Sequence, residues 1–549
     1  MKKKVPYALL AFTVIIVSVS FTRPAERYFE IAKNLDIFAT LFKEVNALYV
    51  DEVNPNKLVR TGIDAMLNSL DPYTNYIPED EVEDYRTLNT GQYGGIGAIT
   101  RDIDGRNVVT MIMEGYAAQK GGLKIGDEVI KIDNIDISKI SRDEANQLMK
   151  GQVGTTVSLT LKRTGTDQPI KIDFKREKVK VNNVPYFGMV GKDIAYIQLS
   201  DFTPDAGKEV KNALISLKEQ GAKGVILDLR GNPGGLLIEA VNITNIFIPR
   251  GKKVVSTKGK IPENNLNYET LNSPVDTEIP LAVLINRGSA SASEIVAGTI
   301  QDYDRGIVIG EKSFGKGLVQ VSRPLSYNSQ LKVTTAKYYT PTGRCIQVLD
   351  YSHRRDDGSV GSIPDSIKAA FKTSNGRTVY DGGGIDPDIK VESVEAHQLT
   401  QVLFEKGYLF DYATLYVLKH NDIPDARTFT LTDDEYNQFV TWMKGKNYQY
   451  KSYLEYELQE FTNEAQKEKY FTELKQQLDQ VSAKILENRK NELMLNKDQI
   501  KMLLEEDIVS RYHLERGGIE AGFKYDKDTK RAIEVVHDQL QYKKLLNIQ

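Results

Sequence analysis

Four short runs of almost uninterrupted apolar residues, IAYIQL (194–199), GVILDLR (224–230), LAVLIN (281–286) and GIVIG (306–310), are separated by stretches with helical patterning. A strand that is apolar at nearly every position, rather than at every second one, has both faces buried. Such strands, with helices between them, form a sheet covered on both sides. Helices are expected over residues 205–219 (DAGKEVKNALISLKE) and 236–247 (LLIEAVNITNIF). The fold class is therefore α/β. The core spans 178–395 and closes on VYDGGGIDPDIKV, a cluster of turn residues before one last strand.

The chain has 549 residues, enough for several domains around that core. Residues 1–25 carry Lys2, Lys3 and Lys4 ahead of an apolar run from Val5 to Phe21, the pattern of a signal peptide or membrane anchor. Residues 26–86 are expected to be helical. One helix presents Phe38, Leu41, Phe42, Val45 and Leu48 on one face, and NKLVRTGIDAMLNSL forms another that Asp71-Pro72 ends. Two readings stand for this pair: helices packed on the body, or an arm that pairs two copies into a homodimer. Residues 87–177 read as strand-strand-helix-strand-helix-strand-strand, with Ser141 as N-cap and Glu144 at the capping-box position. The module resembles a PDZ domain, most specifically in GGLKIGDEVIKID. That resemblance implies that the loop GGIGA, with Gly94, Gly95, Ile96 and Gly97, offers backbone N–H groups to a peptide's terminal carboxylate. The plainer reading is a tight glycine turn. Residues 396–549 form a helical appendage with no sustained heptad seam, and nothing in them indicates a function.

Several classes are excluded. Net charge is −3, from 72 basic and 75 acidic side chains, and no basic stripe interleaved with aromatics is present, so no nucleic-acid partner is expected. Cys345 is the one cysteine, which rules out an intramolecular disulfide and a multi-cysteine zinc site. The five histidines, 353, 397, 420, 513 and 537, form no HExxH pattern, so neither a metal nor a cofactor is expected.

The chemistry concentrates in INRGSASASEIVAGTIQDYDRGIVIGEKSFGKGLVQ, residues 285–320. Ser289, Ser291 and Ser293 alternate with alanines on a turn entering a helix, and periodicity does not choose among them. A helix beginning near Ser293 aims its free N–H groups at an oxyanion formed just before it. No histidine lies between 101 and 352, so a serine nucleophile needs another base. Lys316 serves if burial removes its proton, with Phe314 and Leu318 as apolar walls. If 316–320 is a strand, Lys316, Leu318 and Gln320 share a face, and Gln320 can orient the amine.

The motifs DPYTNYIPED, YGGIGA, GLKIGDEVIKID, DLRGNPGGLL, NRGSASASEIVAG, QDYDRGIVIGEKSFGKGLVQ and LKVTTAKYYTPTGRCIQ occur in the order of the C-terminal processing peptidases, or tail-specific proteases, and the chain resembles that family from about residue 36 to 392. The resemblance implies a crotonase/ClpP-like catalytic core with an inserted PDZ domain. It also implies a serine-type endopeptidase with Ser291 as nucleophile, Lys316 as base and Gln320 as its orienter. The oxyanion donors become the N–H groups of Gly235 and Ala292, with Ser293 as N-cap. Asp302 and Arg305 fall on family positions, with structural pairing as their expected role. Implied substrates are unfolded or C-terminally exposed proteins, met in the bacterial periplasm or at the outer face of the inner membrane. The competing readings are a PDZ peptide-binding or chaperone-like homologue with little proteolysis, and a crotonase-like acyl-CoA enzyme. Retention of both Ser291 and Lys316 disfavours the first, and the apolar N-terminus disfavours the second.

Overall fold

The computed structural model describes residues 5–355, 357–392 and 395–548, with the side chains of residues 5–26, 88, 142, 352 and 365 outside the description. The leader expected over residues 1–25 thus lies, in its side chains, outside the described residues. Among the described residues no helix is long and apolar enough to cross a membrane.

The expected sheet is present, in the order Tyr186–Val190, Ile194–Gln198, Gly224–Asp228, Leu281–Ile285, Ile307–Gly310, Ile389–Lys390. The last five strands run parallel, and the first is antiparallel to its neighbour. Side chains alternate between two buried layers. Ala195, Ile197, Val225, Leu227, Leu281, Val283 and Val308 face the helices Ala206–Glu219, Leu237–Phe247 and Ala292–Asp302. Ile194, Tyr196, Ile226, Ala282, Leu284, Ile307 and Ile309 face the other way.

The end of the C-terminal helical region covers that second face. The helices Lys527–His537 and Gln539–Leu545 lie on it, with Ala532, Val535, Val536, Tyr542 and Leu546 packed into the layer. The Tyr542 hydroxyl accepts from the N–H of Leu281 at 2.9 Å and donates to its carbonyl at 3.1 Å. The extreme C-terminus therefore completes the α/β core, as a sheet apolar on both faces requires. The preceding helices build a separate core around Leu403, Tyr436, Phe439, Ile500 and Ile508.

A second sheet stands beside the first. Its central strand, Gln330–Tyr339, pairs with Leu318–Pro324, with Lys253–Gly259 and with the short strand Asn75–Ile77. The PDZ-like module has the sheet order Ala98–Ile103, Arg106–Ile112, Glu128–Ile132, Thr156–Lys162, Ile170–Lys175, and the Ser141–Glu144 capping box forms as expected. Its entry strand Gln92–Gly95 pairs with its exit strand Glu177–Lys180, so it is inserted on a two-stranded ribbon. The helical region grips it from outside: Asp411 accepts from Arg106 at 2.9 Å, and Leu514 packs on its core.

The two N-terminal helices form as Val5–Leu48 and Pro55–Asn68. Of the expected apolar face, Phe38, Leu41 and Leu48 are exposed while Phe42 and Val45 are half-buried, so within one copy the body covers this face only in part, and Tyr28 and Leu35 further along the helix are exposed too.

Candidate active site

The three serines have separate environments. Ser289 is fully buried; its hydroxyl donates to the Leu229 carbonyl at 2.8 Å and accepts from the Asn286 N–H at 3.0 Å. Ser293 is also fully buried and donates to the Asn232 carbonyl at 2.9 Å, tying the helix to the RGNPGG turn. Both hydroxyls are committed to structure. Ser291 is half-buried and caps the helix Ala292–Asp302, so the N-cap is Ser291 and not Ser293 as the sequence suggested. Its φ is +55°, in the left-handed region that a residue with a β-carbon occupies only when its surroundings enforce it.

One carboxylate does much of that enforcing. Glu294 is fully buried, and its Oε2 accepts from the N–H of Ser291 at 2.8 Å and of Lys316 at 2.9 Å. Its Oε1 accepts from the Ser313 hydroxyl at 2.5 Å and the Gly315 N–H at 2.7 Å. Burial pushes its pKa up to about 7, against these four donors, which hold it down. Glu294 therefore staples the serine turn to the lysine loop. Sequence reasoning assigned it no role, although Ser291-x-x-Glu294 has capping-box spacing.

Lys316 sits just before the strand Leu318–Pro324. Burial lowers its pKa to about 8, with a further lowering from the nearby ammonium of Lys332; Glu294 and Asp71 act the other way. The wall is not the one expected: Leu318 is buried, but Phe314 is 51 % exposed. The ring of Tyr73 takes its place, with the lysine nitrogen 4.4 Å from its centroid.

Gln320 lies on that strand opposite Thr334; the strand begins at Leu318, so Lys316 stands outside the alternation on which the shared-face argument relied, and the bulge beside Gln320 falls at Thr335 of the partner strand. Its amide donates to the Thr334 hydroxyl at 3.2 Å. Among the described residues the Lys316 amine is hydrogen-bonded to neither Gln320 nor Ser291.

The RGNPGG turn packs directly on the serine turn. A β-carbon on Gly234, whose φ is +98°, would lie 2.7 Å from the Ala290 carbonyl and 2.8 Å from the Ala292 nitrogen. Among the described residues the N–H groups of Gly235 and Ala292 have no acceptor, Ala292 being in the unsatisfied first turn of its helix. Arg230, in the same turn, is anchored by Asp228 and Asp526 at 2.6 Å each and by Asp528 at 2.9 Å. The C-terminal region thus braces this loop. Asp302 and Arg305 are structural: Asp302 pairs with Arg344 at 2.5 Å, and Arg305 donates to the Phe247 carbonyl at 3.1 Å.

In the PDZ-like module, a side chain at Gly94 would run into the Gly151 carbonyl at 2.0 Å, so close backbone packing requires glycine there. Gly95 pairs with Glu177. The carbonyls of Ile96 and Gly97 accept from Ala118 and Met113 at 2.8 Å each, and among the described residues their N–H groups have no acceptor. The strand Ala98–Ile103 is a sheet edge, open to strand addition.

These elements define a peptidase core carrying a peptide-binding module. The description "Peptidase family S41" matches residues 193–351, "PDZ domain" matches 87–162, and "Probable PDZ-protease, C-terminal helical domain" matches 399–536. A carboxy-terminal-processing protease of Bartonella bacilliformis is 38% identical over 343 residues, covering 62% of this chain and 78% of that protein. A probable CtpA-like serine protease of Staphylococcus aureus is 32% identical over 407 residues, 74% of this chain and 70% of that protein. A solved photosystem II D1 C-terminal processing protease is 26% identical, covering 65% of this chain and 92% of that one, with a TM-score of 0.35. The chain belongs to the carboxy-terminal-processing proteases of peptidase family S41, and it is a protease.

Proposed function

We propose that the chain is a serine-type endopeptidase that works through Ser291 and Lys316. The observation that carries this is the single buried carboxylate of Glu294, which takes the backbone N–H of both residues. The neutral Lys316 amine removes the Ser291 hydroxyl proton as Oγ attacks the scissile carbonyl. The N–H groups of Gly235 and Ala292 stabilise the tetrahedral oxyanion, reinforced by the positive end of the helix Ala292–Asp302. Lys316 then protonates the leaving amine, and water, deprotonated by the same lysine, hydrolyses the acyl-enzyme. Gln320, the orienter of the amine in this reading, has its own amide held by the Thr334 hydroxyl.

Cleavage of an unfolded protein by Ser291→Ala, Lys316→Ala and Ser289→Ala tests this. The first two should lose at least 10³-fold in kcat. Substantial cleavage by Ser291→Ala would remove the basis of the assignment. Loss in Ser289→Ala, with folding intact, would count against the choice of serine.

Substrates are proteins with exposed C-termini, held at Gly94, Gly95, Ile96 and Gly97 by their terminal carboxylate. The unused N–H groups of Ile96 and Gly97 support this. Amidating a peptide's C-terminus should raise KM; equal cleavage of acid and amide would reject it. The exposed positions Tyr28, Ile31, Leu35 and Phe38 repeat at spacings of three and four, the seam of a paired helix, which supports a homodimer through this arm. A Leu35→Glu form with unchanged sedimentation would argue against it. Lys2–Lys4 followed by Val5–Phe21 support export, to the periplasm or the outer face of the inner membrane. Recovery solely from the cytosolic fraction would contradict that placement.

A further inference from the structure

The Lys316 amine has one close neighbour of note, and it is aromatic. Its nitrogen lies 4.4 Å from the centroid of the Tyr73 ring. Among the described residues it forms no hydrogen bond or ion pair. Tyr73 comes from a part of the chain far from the serine and lysine loops, in the turn that follows the N-terminal helices.

That turn is held firmly. Asp71 is buried, and its carboxylate accepts from the N–H groups of Tyr73 and Thr74 at 2.8 Å each and from the Thr74 hydroxyl at 3.1 Å. The Thr74 hydroxyl in turn accepts from the Thr334 N–H at 3.2 Å. Asn75–Ile77 then joins the edge of the strand Gln330–Tyr339. Tyr351 packs edge-on against the ring of Tyr73, with centroids 6.3 Å apart. The ring is thus fixed to the same strand that supplies Thr334, the partner of Gln320.

We propose that Tyr73 is a positioning residue for Lys316: its ring face holds the amine in the site and keeps water from it, and the amine reaches Ser291 by sliding off that face. The proposal rests on the reading of Lys316 as the base. The ring acts in two opposed ways. Its π face favours the ammonium. Its bulk displaces water, which disfavours the ammonium more strongly when a lysine is buried. The other charged or titratable groups acting on this amine are Lys332, which disfavours the ammonium, and Glu294 and Asp71, which favour it. Tyr351 and Asp71 lie against Tyr73 itself. None of them covers the amine as the ring does. A merely structural tyrosine would leave the protonation of Lys316 unchanged when replaced.

The test is the pH dependence of kcat/KM for the full chain on one peptide substrate, for wild type, Tyr73→Phe, Tyr73→Leu and Tyr73→Ala, with Lys316→Ala run alongside. Tyr73→Phe keeps face and bulk and should keep the wild-type midpoint. Tyr73→Ala admits water, so the midpoint should rise by about one pH unit, with kcat/KM at neutral pH about tenfold lower and recovered at alkaline pH. Tyr73→Leu, which protects the fold by keeping an apolar side chain on the turn, should fall between the two. Equal midpoints in all three variants overturn the proposal, as does a Tyr73→Phe form shifted as far as Tyr73→Ala. Retained cleavage by Lys316→Ala overturns the lysine base and Tyr73's role with it. An inactive Lys316→Ala with an unshifted Tyr73→Ala overturns the role of Tyr73 alone.

Discussion

Removing the Glu294 carboxylate should separate stability from catalysis. Glu294→Ala leaves four donors without their acceptor, of which the Gly315 N–H and Ser313 hydroxyl are buried and those of Ser291 and Lys316 partly so. A buried polar group without a partner costs about 1–3 kcal/mol. Water entering the vacated space restores part of this, so the expected loss is about 3–5 kcal/mol. Glu294→Gln is the sharper probe. Its amide must turn its NH2 towards two donors, and the Ser313 side is the more tolerant, because a hydroxyl can also accept. The substitution also removes a buried charge. With the pKa raised from 4.5 to about 7, keeping that charge costs the fold about 3 kcal/mol at alkaline pH. The two effects nearly offset, so Glu294→Gln should unfold within about 2 kcal/mol of wild type. Its kcat should still fall about 10- to 100-fold, because the serine turn and lysine loop lose their common anchor. Thermal unfolding and cleavage of an internally quenched peptide measure the two quantities. Wild-type kcat in Glu294→Gln, or an unchanged unfolding temperature in Glu294→Ala, would refute the reasoning.

Activity should climb with pH through a midpoint near 8, where Lys316 loses its proton, and steepen below about 7, where Glu294 gains one. The stability linkage of Glu294 has the opposite sign: its folded pKa is raised, so its destabilising charge is relieved as pH falls from about 7 towards 4.5. A profile governed by a group near 6.5 and abolished by replacing one histidine would contradict this. Ending the chain at Tyr525 should give insoluble or protease-sensitive protein, because it uncovers Ile194, Tyr196, Ile226, Leu284, Ile307 and Ile309. Each such side chain contributes about 1.5–3 kcal/mol when buried, so the loss exceeds a typical domain's stability. A soluble, active truncation would show that the last two helices are dispensable. Lys332→Gln removes a positive charge near Lys316 and should raise the midpoint by a few tenths of a pH unit; a lowered midpoint would reject that electrostatic effect.

The α/β core was legible because its strands are apolar on both faces, a pattern that leaves few alternatives. The PDZ-like module was legible from its turn residues and capping box. Ser291 and Lys316 stood out through the local motif, yet their surroundings did not. The contact between Lys316 and Tyr73 spans more than two hundred residues and depends on strand pairing at Asn75–Ile77, which no local periodicity encodes. The strand Leu318–Pro324 likewise begins at Leu318 and not at Lys316, which leaves the lysine ahead of the ladder that holds Gln320. The role of Lys527–Leu545 was hidden for a different reason. A double-sided sheet demands cover on its second face, but its pattern does not say which distant helices supply it. The sharp Ser291 turn could have been anticipated from Ser291-x-x-Glu294, had that spacing been read as a cap.

The most direct measurement is the site and rate of phosphonylation by a serine-reactive organophosphonate, followed by intact mass and fragment mapping across residues 285–305. The expected result is a single adduct on Ser291, forming at a rate that rises with pH through about 8 and becoming negligible in Lys316→Ala. An adduct on Ser289 or Ser293, or a rate unaffected by the loss of Lys316, would contradict a Ser291–Lys316 protease.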